Sequence, residues 1–160
     1  MSKVNVVSGS LLAMTIASVS LLSPVSAQAD GSAVAQGGFQ VVYGAEVLRT
    51  IEFTAIRDAK NNQRGNGHYF NHAVGVSVRF IIDCLYVKGN VATFTGYIVG
   101  QENSDFPYFF MQVKDNGEGS KSNPDQTSGF YGEPVHEDCS YWGQFDFSDY
   151  DIEGGNIQVR

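Results

Sequence analysis

"VGVSVRFIIDCLYVKGNVATFTGYIVG", residues 74–100, decides the fold. Two runs rich in β-branched and aromatic residues flank Lys88-Gly89-Asn90, a triplet able to supply the positive φ that a tight connection needs. The stretch therefore reads as a β-hairpin. Unbroken alternation along its first arm puts Val76, Val78, Phe80, Ile82, Cys84 and Tyr86 on one apolar face. With Cys84 on that face, a partner sulfur has to arrive from another strand or from a loop crossing the core edge.

Outward from the hairpin the same period of two recurs, and helical periodicity is hard to find beyond the first thirty residues. "VLRTIEFTAIRD" sets Ile51, Phe53 and Ala55 against Glu52 and Thr54. "YFFMQVKD" aligns Phe109, Met111 and Val113, and "YWGQFDFSD" reads as a further half-buried strand showing Tyr141, Phe145 and Phe147. The terminal "GGNIQVR" is short and should pair with a neighbour, the N-terminal "GGFQVVYG" being the candidate. Eight or nine short strands result, and the fold class is all-β: a single antiparallel sandwich or a small closed barrel.

Residues 1–29 carry the pattern of a cleaved signal peptide: Lys3, then the apolar "LLAMTIASVSLL", then "PVSA", with cleavage expected after Ala27 or Ala29. A spanning helix needs about 20 apolar residues, and this run is shorter and is followed by Pro24. Residues 30–160 then form one secreted or periplasmic β-domain with no stable membrane insertion. In an exported chain the two cysteines, Cys84 and Cys139, read first as a disulfide.

Charge is uneven. Residues 30–101 hold five acidic and six basic side chains, whereas residues 102–160 hold twelve acidic and three basic. That acidic half repels phosphate backbones, which argues against nucleic acid as a partner.

"GGFQ…FTAIRD…GHYFNHAVGVSV", "CLYVKGNVATFTGYI", "VKDNGEGSKSNPDQ" and "GGNIQVR", in that order, resemble a family of small secreted bacterial all-β proteins of unassigned function. "YVKGNVATFTG", "DNGEGS…PDQ" and the terminal "GGNIQV" carry the likeness most specifically. The resemblance implies export and a β fold, and it supplies no catalytic residue.

Several groups compete as sites. Asp115, Asn116, Glu118 and Asp125 offer the oxygen ligands that calcium takes, although Gly117 and Pro124 stand where an EF-hand needs chelating residues, and a solvated turn has the same composition. His68 and His72, four apart on a strand, are about 13 Å from one another, too far to share an ion. His136 has Glu133, Glu137 and Asp138 for neighbours. No "GxSxG" marks a nucleophile.

The aromatics are the better clue. Neither "FPYFF" nor "YW" can send all its rings into one core, so Tyr108, Phe110, Tyr141 and Trp142 are contact candidates for a glycan or an extracellular protein. The leading reading is a non-catalytic extracellular binding or structural module, with calcium as a candidate stabiliser. Two others stand beside it: a small hydrolase or lyase using His68 or His72 with a carboxylate such as Asp83, and a barrel carrying a small apolar ligand. Convergence of the three histidines would favour the enzyme, and dispersal the module.

Overall fold

The computed structural model describes residues 32–43, 46–118 and 123–160; the signal-peptide expectation for residues 1–29 lies outside them. Nine strands follow in chain order: β1 (Ala33–Tyr43), β2 (Glu46–Arg57), β3 (Gln63–Asn71), β4 (Val76–Lys88), β5 (Val91–Ile98), β6 (Tyr108–Lys114), β7 (Gln126–Glu133), β8 (Tyr150–Asp151) and β9 (Glu153–Val159). Among the described residues one short helix, α1 (Cys139–Trp142), precedes β8.

All nine strands belong to one antiparallel sheet in the order β8-β7-β6-β5-β4-β3-β2-β1-β9. Each strand from β1 to β7 pairs with its successor in the chain, and the last strand swings round to β1, so the sheet curls into an almost closed up-and-down barrel. The terminal pairing is the expected one, with Ile157 opposite Gly37 and Gly155 opposite Phe39. The β4–β5 hairpin also forms as expected, and Gly89 sits at φ 63° in its two-residue turn.

Inward-facing side chains fill the barrel. Phe80, Phe109 and Phe130 form a cluster with centroids 4.7 to 5.2 Å apart, extended by Tyr69 on Phe130 and by Phe94 and Phe53 on the other side. Ile51, Ile82, Leu85, Met111, Val113 and Ile157 complete the packing. At Gly67 a side chain would collide with the Phe80 ring, so the core reaches the wall itself there.

Two strand expectations need correction. The register of β4 shifts between Ile82 and Cys84, a bulge that inserts Asp83 and reverses the parity of everything after it. Phe80 and Ile82 point inward, but beyond the bulge Leu85 takes the inward place, and Cys84 faces the outer surface instead of the core. The second correction concerns "YWGQFDFSD". Asp138 caps a helical turn there, its carboxylate accepting from the Ser140 N–H at 2.8 Å, and α1 ends at Gly143.

The barrel closes without a full ladder. β8 pairs with β7 only at Gln126 and Thr127, and β9 is laddered only to β1. Carboxylates bridge the remaining seam: Asp125 Oδ2 accepts from the Ile157 N–H at 2.9 Å, and Asp115 Oδ2 accepts from the Val159 N–H at 3.0 Å. The other oxygens of these two side chains accept from the N–H groups of Asn116 and Gly117, both at 2.8 Å. Two aspartates thus stand in for the missing strand contacts of β9.

Candidate binding surface

Residues 134–149 fold back over the outer face of β4, β5 and β6. A disulfide joins Cys84 to Cys139, with Cα atoms 5.6 Å apart. Beside it, His136 Nε2 lies 3.0 Å from Asp83 Oδ1, using the carboxylate that the bulge pushes outward. Thr95 Oγ1 donates to the Glu137 carbonyl at 3.0 Å.

A buried glutamine secures the far end. Gln112 Nε2 donates to Thr93 Oγ1 and to the Phe145 carbonyl, and its Oε1 accepts from the Phe147 N–H at 2.7 Å and from Ser148 Oγ. Every hydrogen-bonding position of that amide is used, which is what lets it sit without water.

Beneath this strap, Trp142 packs on Phe110 with centroids 4.9 Å apart, and Phe147 meets both rings. Phe110 is only 4% exposed, so it supports the surface from below. Trp142 is half-buried and its indole N–H has no acceptor among the described residues. Tyr141 remains 48% exposed, edge-on to Trp142.

Next to the strap lies a second group of aromatic side chains. Tyr97, Tyr108 and Glu133 are direct neighbours across β5, β6 and β7. Tyr97 is 42% exposed and Tyr131 45%. Tyr131 stacks 6.1 Å from Phe110, and the His136 ring meets Tyr108 edge-on at 5.2 Å. The surface is a strip of rings with Glu133 at its β7 end and the Asp83–His136 pair toward β4.

Its titratable groups are perturbed in ways that match this packing. Partial burial, and then the charge of Glu137, raise the Glu133 carboxyl above its ordinary value. Burial also raises the Tyr131 phenol, with a further push from Tyr150. Asp138 is held below the ordinary range by its hydrogen bonds from Ser140.

The three histidines do not converge. His68 Nε2 lies 2.8 Å from Ser77 Oγ on the outer face of β3–β4, His72 Nε2 lies 2.9 Å from Thr50 Oγ1 at the strand end, and His136 pairs with Asp83. The carboxylate suggested for His68 or His72 therefore belongs to His136, 53 residues away in the chain.

Of the calcium candidates, Asp115 and Asp125 are engaged at the seam, Asn116 donates to the Pro124 carbonyl, and Glu118 accepts from Asn156 and Gln158. Among the described residues, the one convergence of three metal-competent side chains is Cys84, Asp138 and Cys139, where both sulfurs are spent in the disulfide. No helix among the described residues is long and apolar enough to cross a membrane. Family models, curated proteins and solved structures, compared with this chain, yield no match.

Proposed function

We propose that this chain is an exported, non-catalytic binding module that holds a glycan against the aromatic strip of β5, β6 and β7. The observation that carries the reading is the row formed by Tyr97, Tyr108 and Glu133, with the exposed Tyr131 on the same face of β7. Rings offer apolar faces to the C–H surface of a sugar, and the bordering carboxylates accept hydrogen bonds from its hydroxyls. Export is supported by the apolar leader pattern and by the disulfide, a bond that persists in oxidising compartments. Dispersal of the histidines favours binding over catalysis, since general acid–base chemistry needs its groups within reach of one substrate.

The test is a titration of Trp142 emission with soluble neutral oligosaccharides, alongside sedimentation with insoluble polysaccharides. Saturable binding supports the reading. Flat titrations combined with saturable binding to an extracellular protein would move the strip to protein recognition.

One observation favours a second reading, a small hydrolase or lyase: the Asp83–His136 pair with the Tyr108 ring beside it. It predicts new reducing ends on incubation with a bound glycan, abolished by His136→Ala. Binding without cleavage removes it.

A further inference from the structure

We propose that the outer face of β1–β4 carries a second site, independent of the aromatic strip, that takes a carboxylated sugar of the uronic acid class. A solvent-open groove of about 540 Å³ lies on this face, and its side walls include Glu52, Thr54, Asn66, His68 and Arg79. Its floor is backbone, because Gly38 stands in the outward row and contributes no side chain. Gly38, Glu52, His68 and Arg79 are successive neighbours across the four strands.

Among the described residues, the charges along that row have no ion-pair partner. Among the described residues the ion pairs are Lys114–Asp146 and Asp83–His136, so neither Arg79 nor Glu52 has a charged partner. Arg79 is exposed at one end of the groove, and His68, beside it, is held in place by Ser77. A guanidinium with free donors binds a carboxylate through two parallel N–H···O contacts.

Toward the middle and the opposite wall the chemistry changes to Glu52, Thr54 and Asn66, with Gln36 opposite Thr54 in the next row. These are acceptors and amides of the kind that hydrogen-bond to hydroxyls. A ligand matching the whole groove carries a carboxylate at one end and hydroxyls along the rest, which is a uronic acid and neither a bare carboxylate nor a neutral sugar.

Two further observations agree. Residues 30–101, which build this face, carry six basic against five acidic side chains, while the strongly acidic residues 102–160 build β6–β9 and the strap. The charge balance of these residues is therefore close to neutral, in contrast to the acidic remainder of the chain. A smaller depression of about 280 Å³ adjoins the groove across His68 and Arg79, bordered by Ser77, Val99 and Gln101, and extends the track to a second sugar unit.

The experiment is calorimetric titration of the intact domain with digalacturonate, with the neutral galactose disaccharide and with acetate. Digalacturonate should bind saturably, at least tenfold tighter than either comparator, and more weakly as salt rises. Arg79→Glu should weaken it at least tenfold, and Arg79→Lys less.

Gly38→Leu is the decisive variant. A Cβ at Gly38 meets only Glu52 Cγ, at 3.6 Å, so the fold accepts a side chain there while the groove is plugged. It should abolish digalacturonate binding with an unchanged melting temperature, and Tyr108→Ala should leave that binding intact. Equal affinity for the neutral disaccharide, full binding by Gly38→Leu, or no saturation for digalacturonate would each overturn the site. None of these results touches the aromatic strip, whose own failure would appear as lost neutral-glycan binding.

Discussion

Asp125→Ala should be among the most damaging single substitutions in the domain. The side chain is 7% exposed, and it holds two backbone donors, the Ile157 N–H of β9 at 2.9 Å and the Asn116 N–H at 2.8 Å. A hydrogen bond to a charged group contributes about 1.5–3 kcal/mol net, and alanine leaves both donors without an acceptor, so the expected loss is about 3–6 kcal/mol. Set against a typical domain stability of about 5–15 kcal/mol, that brings the barrel close to unfolding.

Asp125→Asn keeps one acceptor oxygen and turns an NH₂ group toward the other donor. It should lose about half as much, roughly 1.5–3 kcal/mol. Urea unfolding followed by circular dichroism gives both values, and the slope with denaturant should stay constant if the seam alone is weakened. Hydrogen exchange should accelerate first at the Ile157 and Val159 amides, because both lean on seam carboxylates. A loss below about 1 kcal/mol for Asp125→Ala, well short of two charge-assisted bonds, would refute the idea that these carboxylates close the barrel.

Replacing both cysteines, Cys84→Ser with Cys139→Ser, should cost about 2–4 kcal/mol by freeing a loop that spans 55 residues, and should shift Trp142 emission to the red as the strap lifts; urea unfolding and fluorescence read the two effects. Glu133→Gln should raise the melting temperature at neutral pH. The raised pKa of Glu133 means that the folded state binds its proton more tightly than the unfolded chain, so stability falls as pH rises above its ordinary 4.5, and the advantage of the variant should vanish once the medium is acidic enough to protonate the wild-type carboxyl. Millimolar calcium or a chelator should leave the thermal midpoint unchanged, since both oxygens of Asp115 and of Asp125 already face N–H donors; a midpoint that rises with calcium would restore a cation role for this loop.

Alternation carried the all-β architecture, and turn chemistry carried the β4–β5 hairpin, because both are local properties of the chain. The pairing of the last strand with the first was also legible, since short flanking runs with nothing beside them need a partner. The orientation of Cys84 was not. One bulged residue reverses every later side chain in a strand, and nothing in "FIIDCLYV" distinguishes an inserted Asp83 from a solvent-facing one. A sandwich and a barrel share the same alternation, so the choice between them rests on which edges meet, a long-range fact.

The helical turn at α1 was better signposted than its reading as a strand allowed. Asp138 is a good capping residue, and Gly143 ends the turn five positions later. Period-two apolar spacing at Phe145 and Phe147 outweighed it. The acidic loop was read for its carboxylate oxygens as ligands of a cation, but composition does not say whether a cation or a row of backbone N–H groups faces them. Gln112 and the Asp83–His136 contact were not legible as interactions, because in each case the partners lie 19 to 53 residues apart in the chain.

The most direct test of the aromatic strip as a glycan site is calorimetric titration of wild type, Tyr97→Ala and Tyr108→Ala against the best neutral oligosaccharide, each variant first checked for an unchanged melting temperature. Each substitution should weaken binding at least tenfold, about 1.4 kcal/mol, because the two side chains, Tyr97 exposed and Tyr108 half-buried, are adjacent in one row. Wild-type affinity in both variants would contradict the account.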